Sequence, residues 1–297
     1  MFDLLGISSQ ALFGQAMIGL INGAFYALLS LGLAIIFGLL NIGNFAHGAQ
    51  YMMGAFAAWM LSNYVGLGYW WALLLAPVIV GVLGALTEQL LIKRLYGTDP
   101  LYGILLTFGL ALIIQGLFTN FYGASGMPYA VPDELTGGWH LGFMVLPKYR
   151  GWVIAASLVV CFATWYCVER TRLGANLRAA TENPSLLEAF GVDVPRLKML
   201  TYAVGVALAG LAGVFAGPIY SVNPIMGADL IIVVFAVVVI GGMGSILGAI
   251  LTGFGLGLLE GLVKVFQPEF AGMVIFLVMI VVLLLRPRND LFGRPQS

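Results

Sequence analysis

The sequence predicts an all-α polytopic membrane protein with about 8–10 transmembrane helices, some of them short or broken. Three observations carry that reading. Of 297 residues, 61% are hydrophobic. Only 9% are charged, against roughly 25% in an ordinary soluble domain. The apolar residues also gather into runs long enough to cross a bilayer as helices, which satisfy their own backbone groups there. With a mean hydropathy of +1.01, a soluble fold has no interior able to hide so much apolar surface. Soluble enzymes, nucleic-acid binders and disordered chains are excluded. The 13 basic and 13 acidic residues cancel, which leaves no basic footprint for nucleic acid.

Nine apolar segments follow in order, near 12–38, 48–63, 71–92, 102–121, 151–168, 199–218, 229–241, 246–265 and 271–285. They form one membrane domain over residues 1–297. The second and seventh are short for a span of about 20 residues. Each abuts an interruption: Asn41 to Gly48 precedes the second, and Gly241, Gly242 and Gly244 follow the seventh. Two readings stand for each: a discontinuous helix lining a path, or a tight turn between ordinary helices. Gly205, Ala209, Gly213 and Gly217 share one helix face, as do Gly253, Gly257 and Gly261. Such stripes let helix backbones pack closely.

Basic residues set orientation. Lys93 and Arg94 follow the third segment. Arg170, Arg172, Arg178, Arg196 and Lys198 fill the loop after the fifth, and Arg286, Arg288 and Arg294 fill the tail. Placing all three regions in the cytoplasm fits nine crossings, with the N-terminus and the 122–150 loop outside. One re-entrant segment makes the count even and moves the N-terminus inside. The start, Met1-Phe2-Asp3-Leu4, has no basic region of a cleaved signal peptide. The 122–150 loop, with Pro128, Pro132, Pro147 and aromatics, reads either as a surface for another protein or as a plain connection.

Chemistry-bearing residues are few. Cys161 and Cys167 lie on different faces of one segment and cannot pair. His47 and His140 are the two histidines, so no metal site is expected. No Gly-Lys pair exists, hence no phosphate-cradling Walker loop. Polar residues within apolar segments mark function. Asn44, Phe45, His47, Gln50 and Tyr51 surround the first interruption, and Thr107 and Gln115 lie in the fourth segment. These seven are the candidates for substrate path or gating. Glu88 is expected to pair with Lys93 or Arg94, and Glu260 with Lys264 four residues on.

The 169–198 loop holds a helical stretch around Ala175–Ala180, which Asn183 and Pro184 interrupt. Asn183 can cap a second short helix that Gly191 ends. Leu186, Leu187 and Phe190, beside Glu188, would give that helix an exposed apolar face, which wants a groove in a partner. The alternative is a helix folded back on its own membrane domain.

Five stretches in order now carry a resemblance: Asn44-Phe45-Ala46-His47-Gly48, Gly174-Ala175-Asn176-Leu177-Arg178-Ala179-Ala180, Gly191-Val192-Asp193-Val194, Ala209-Gly210-Leu211-Ala212-Gly213 and Gly241-Gly242-Met243-Gly244-Ser245. Together, from about residue 15 to 287, they resemble the LivH-type permeases, membrane subunits of bacterial ABC importers for branched-chain amino acids. The resemblance implies a multi-pass protein of the bacterial cytoplasmic (inner) membrane. It implies a homologous second permease of the LivM type, two ATP-binding cassette ATPases, and a periplasmic solute-binding protein. ATP and Mg would be bound by the ATPases, with no cofactor in this chain and no enzyme activity of its own. Asn183, Pro184, Leu186, Leu187, Glu188, Phe190 and Gly191 would then couple to the ATPases. Relatives carry an acidic-Ala-Ala triplet where this chain has Ser185-Leu186-Leu187, while Asn183, Pro184 and Gly191 match. The same subfamily includes importers of urea, short amides and aromatic acids. Two other classes remain: a secondary transporter, with Glu260 as its coupling carboxylate, and a passive channel.

Overall fold

The computed structural model describes residues 9–40, 42–142 and 144–285. Asn41, the first residues and the basic tail, with Arg286, Arg288 and Arg294, lie outside the described residues. In chain order the helices are α1 (Ser9–Leu40), α2 (His47–Val65), α3 (Tyr69–Leu90), α4 (Pro100–Tyr122), α5 (Lys148–Arg170), α6 (Arg172–Glu182), α7 (Pro184–Ala189), α8 (Val194–Tyr220), α9 (Ala228–Gly241), α10 (Ile246–Phe266) and α11 (Val274–Leu285). All nine apolar segments are helices, and α6 and α7 occupy the polar loop. Among the described residues, six helices are long and apolar enough to cross a membrane. Of the others from the apolar segments, α9 and α11 are shorter, at 14 and 12 residues, while α2, at 19 residues, is long enough but less apolar.

Helix α1 is the central pillar, packed against α10, α8, α5 and α9. Gly253, Gly257 and Gly261 of α10 meet Ala27, Gly23 and Gly19 of α1, backbone against backbone. Lipid gives helices no hydrophobic reason to associate, so this area of close van der Waals contact is what holds the pair. The α8 stripe serves three neighbours: Gly205 meets Gly32 and Ile36, Gly213 meets Tyr51 and Ala55, and Gly217 meets Tyr129. At the periphery, α4 leaves most of its apolar face outward.

The two ends of the bundle differ. At one, the Tyr69 and Tyr149 hydroxyls lie 3.0 Å apart, and Tyr149 donates to Phe215 O at 3.0 Å. These bonds tie the starts of α3 and α5 to α8. Here the 122–150 connection forms a hairpin that the sequence did not announce, β1 (Gly138–His140) antiparallel to β2 (Val145–Pro147), with Trp139 opposite Leu146. Met127 and Val222 exchange backbone hydrogen bonds of 2.7 and 2.9 Å beside it. At the other end, Lys198 Nζ sits 4.7 Å from the Tyr96 ring centre, so the basic regions after α3 and α5 share a side. We call these the hairpin end and the basic end.

Two expected ion pairs are replaced. Glu88, only 2% exposed, accepts from the Tyr96 hydroxyl at 2.7 Å. Lys93 and Arg94 sit in a 3-10 turn, Ile92–Leu95, and stay exposed. Glu260 accepts from Tyr26 of α1 at 2.8 Å, while Lys264 is exposed. In both cases the buried carboxylate takes a hydroxyl, because bringing the cation inside would cost its hydration.

Candidate functional site in the interrupted helices

The first interruption is a true break inside the membrane body. His47 opens α2, and its Nε2 lies 3.0 Å from Leu29 O. Leu29 is eleven residues back from the end of α1, about 16 Å at the helical rise. The chain therefore leaves α1 at the basic end and climbs back before α2 starts. Thr107, one turn and more into α4, holds the climbing strand: its hydroxyl accepts from Phe45 N at 3.1 Å and lies 3.0 Å from Gly43 O. Thr107 thus bridges elements by satisfying backbone that the break frees.

Behind the break, Asn44 Nδ2 donates to Gln50 Oε1 at 2.9 Å, and Gln50 Nε2 donates to the Tyr202 hydroxyl of α8 at 3.2 Å. Asn44, His47, Gln50, Thr107 and Tyr202 are all 3% exposed or less. Two atoms, Asn44 Oδ1 and His47 Nδ1, are buried with no hydrogen-bond partner. The network therefore keeps unused polar capacity in an apolar body. Tyr202 escaped the sequence reading, since a lone tyrosine in an apolar run carries no signal of its own.

Helix α9 also starts deep. After Val222 pairs with Met127 at the hairpin end, residues 223–227 descend until Gly227 lies against Gly48. A Cβ on either glycine would strike the other's backbone oxygen. From that junction α2 runs toward the hairpin end, where Trp59 packs on Tyr122 of α4. By contrast, α9 runs toward the basic end and its following turn, where Gly244 touches Gly38. Two helix N-termini, each carrying partial positive charge and free N–H groups, thus meet within the membrane body and diverge.

The seven path candidates fall into three groups. Asn44 and Gln50 are bonded to each other and on to Tyr202, while His47 and Thr107 are buried beside them and bond to freed or helical backbone. Phe45 stacks on Phe235 at 4.4 Å and, with Gln115, Gly48 and Gly227, lines an apolar cavity of about 230 Å³. Tyr51 faces a different cavity of about 320 Å³, with Tyr26, Tyr220 and Asp229.

Gly241, Gly242 and Gly244 lie in the short turn between α9 and α10. Gly242 and Gly244 have φ of 99° and 85°, Gly241 packs on Gly248, and Ser245 Oγ accepts from Gly248 N at 3.1 Å to start α10. At the basic end, Asn183 Oδ1 accepts from Leu186 N at 3.0 Å and starts α7 at Pro184. Gly191, at φ 83°, ends that turn. Leu186 and Phe190 are 54% and 77% exposed. Leu187 is half-buried, because the turn at Gly191 folds Val192 N back onto Leu187 O. Gly174 packs on Val168 O, and Arg178 donates to the same carbonyl at 3.1 Å, fixing α6 to α5.

The family described as branched-chain amino acid transport system / permease component matches residues 15–283. The high-affinity branched-chain amino acid transport system permease protein LivH of Escherichia coli K12 is 28% identical, over 94% of each chain. BraD, the corresponding permease protein of Pseudomonas aeruginosa, is 30% identical over 95% of this chain and 96% of its own. The permease protein LivM of Salmonella typhimurium is 27% identical over 91% of this chain and 69% of its own. A match of this extent settles the family: the chain belongs to the branched-chain amino acid transport system permease components, as a multi-pass membrane protein.

Proposed function

We propose that this chain is one permease half of an ATP-driven importer in the bacterial inner membrane, carrying branched-chain amino acids. It pairs with a homologous permease. A periplasmic binding protein delivers solute at the hairpin end. Two ATPases, which bind ATP and Mg, dock at the basic end on α7 through Leu186 and Phe190. The observation that carries the reading is the meeting of α2 and α9 at Gly48 and Gly227 inside the body of a family permease. Helices that start at mid-depth and run to opposite ends offer a natural gate, since small tilts of either alter the path on one side only. ATP binding draws the ATPases together, α6 and α7 follow, and α9 shifts against α2. Asn44, His47 and Gln50 supply polar contacts that are exchanged as the gate moves.

The test is reconstitution. The chain, its second permease, the ATPases and the binding protein are placed in proteoliposomes, and leucine uptake is followed. Uptake that requires ATP and the binding protein is the expected result; ATP-independent flux through this chain alone would eliminate the importer reading. Replacing Leu186 and Phe190 with serine abolishes co-purification of the ATPases and leaves the membrane helices folded. Recovery of the ATPases at wild-type yield sinks the docking assignment.

A further inference from the structure

The cavity above the α2–α9 junction holds a feature the transport reading does not use. It opens at the hairpin end, is about 320 Å³ in volume, and is walled by α1, α2, α8 and the start of α9. That size suits a small solute. Three phenols, Tyr26, Tyr51 and Tyr220, line it with two amides, Asn22 and Asn223, and one carboxylate, Asp229, which is exposed; the Tyr220 hydroxyl donates to Asn22 Oδ1 at 2.9 Å, so Tyr220 offers its ring. Both ion pairs among the described residues, Arg178–Glu169 and Arg196–Asp193, lie at the basic end, so Asp229 is in neither. Behind the wall, the Tyr26 hydroxyl is already committed to Glu260, which adds a second carboxyl group beyond the first layer. Phe25, Met226 and Leu230 supply an apolar side.

A carboxylate among aromatic rings is the chemistry that holds an ammonium ion. The carboxylate forms a charge-assisted hydrogen bond, and ring faces attract the cation. Resting on the amino-acid permease reading, we infer that Asp229, with Tyr26, Tyr51 and Tyr220, is the permease's own subsite for the α-ammonium group of the solute. The apolar side chain of that solute lies against Phe25, Met226 and Leu230. The permease thus checks the solute a second time after the binding protein releases it.

Asp229 also sits in the first turn of α9, where an acid complements the helix dipole. The experiment separates the two roles. In the full reconstituted complex, Asp229→Asn lowers leucine uptake about tenfold or more while binding-protein-stimulated ATP hydrolysis continues. Asp229→Glu, which keeps the charge, restores most of the uptake. In parallel, leucine and its deaminated analogue 4-methylpentanoate are compared by saturation-transfer NMR on the permease pair without binding protein. The wild type gives a signal with leucine alone, and Asp229→Asn gives none. Equal uptake by the wild type and Asp229→Asn, or equal impairment of the Asn and Glu variants, overturns the subsite. So does a wild-type signal of equal strength from both probes. A wild-type complex that takes up no amino acid overturns the underlying transport reading instead.

Discussion

The two glycine-bearing interruptions look alike in sequence and are opposite in structure. Over residues 42–48 the chain re-enters the bundle and starts a helix at mid-depth, with Asn44 and His47 buried. Around Gly241–Ser245 it turns at the basic end, with glycines in left-handed conformations and Met243 exposed. The difference follows from what accompanies the glycines. Asn44, His47 and Gln50 are expensive in a membrane unless bonded, and they bond to one another, to α1 and to α8. The second stretch has Ser245 as its sole polar side chain, and that serine caps a helix. Glycine alone marks a bend; glycine with amides and imidazole marks a break.

The comparison has consequences that can be broken in order of size. At the junction, Gly48→Ala or Gly227→Ala drives a methyl into the opposing backbone, which cannot step aside as a side chain does. The expected cost is at the upper end of the roughly 1–3 kcal/mol seen for overpacking, or beyond it, with loss of transport. Thermal unfolding in detergent and leucine uptake measure both; unchanged uptake would show that α2 and α9 part easily. Next, Thr107→Val removes the hydroxyl that accepts from Phe45 N and leaves that donor unpaired. A penalty of about 1–3 kcal/mol is expected, and a melting temperature equal to the wild type would mean water takes the place of the hydroxyl. Smallest is Gly244→Ala in the turn. Its φ of 85° costs a side chain about 1–2 kcal/mol and the new methyl presses on the Gly38 backbone, yet uptake persists, because the turn lies away from the junction. If this variant lost transport while Gly48→Ala kept it, the assignment of gate and turn would be reversed.

Much of the bundle was legible because period and length are strong signals in a membrane. The segment read as 12–38 is Ser9–Leu40, and that read as 246–265 is Ile246–Phe266. The cap at Asn183 and the stop at Gly191 were also readable, since each is a local device. What escaped was long-range. The Gly19, Gly23, Ala27 stripe shows its purpose once Gly257 and Gly253 lie against it. Helix spacing suggested Glu260 with Lys264, but a hydroxyl 234 positions away is the partner. The hairpin strands have three residues each, too short for alternation to register. Tyr26, Tyr220 and Asp229 come to line one cavity once α1, α8 and α9 converge.

The α1–α10 seam also has a consequence in time. Helix α1 leaves the ribosome long before α10, the helix it packs against most, which begins at Ile246. At roughly 5–20 residues per second, translation takes on the order of 10–40 s to deliver that partner. During that interval the small-residue groove of α1 faces lipid or the insertion machinery. A chain that stops before Ile246 never covers it and remains a substrate for membrane quality control, however well its earlier helices insert.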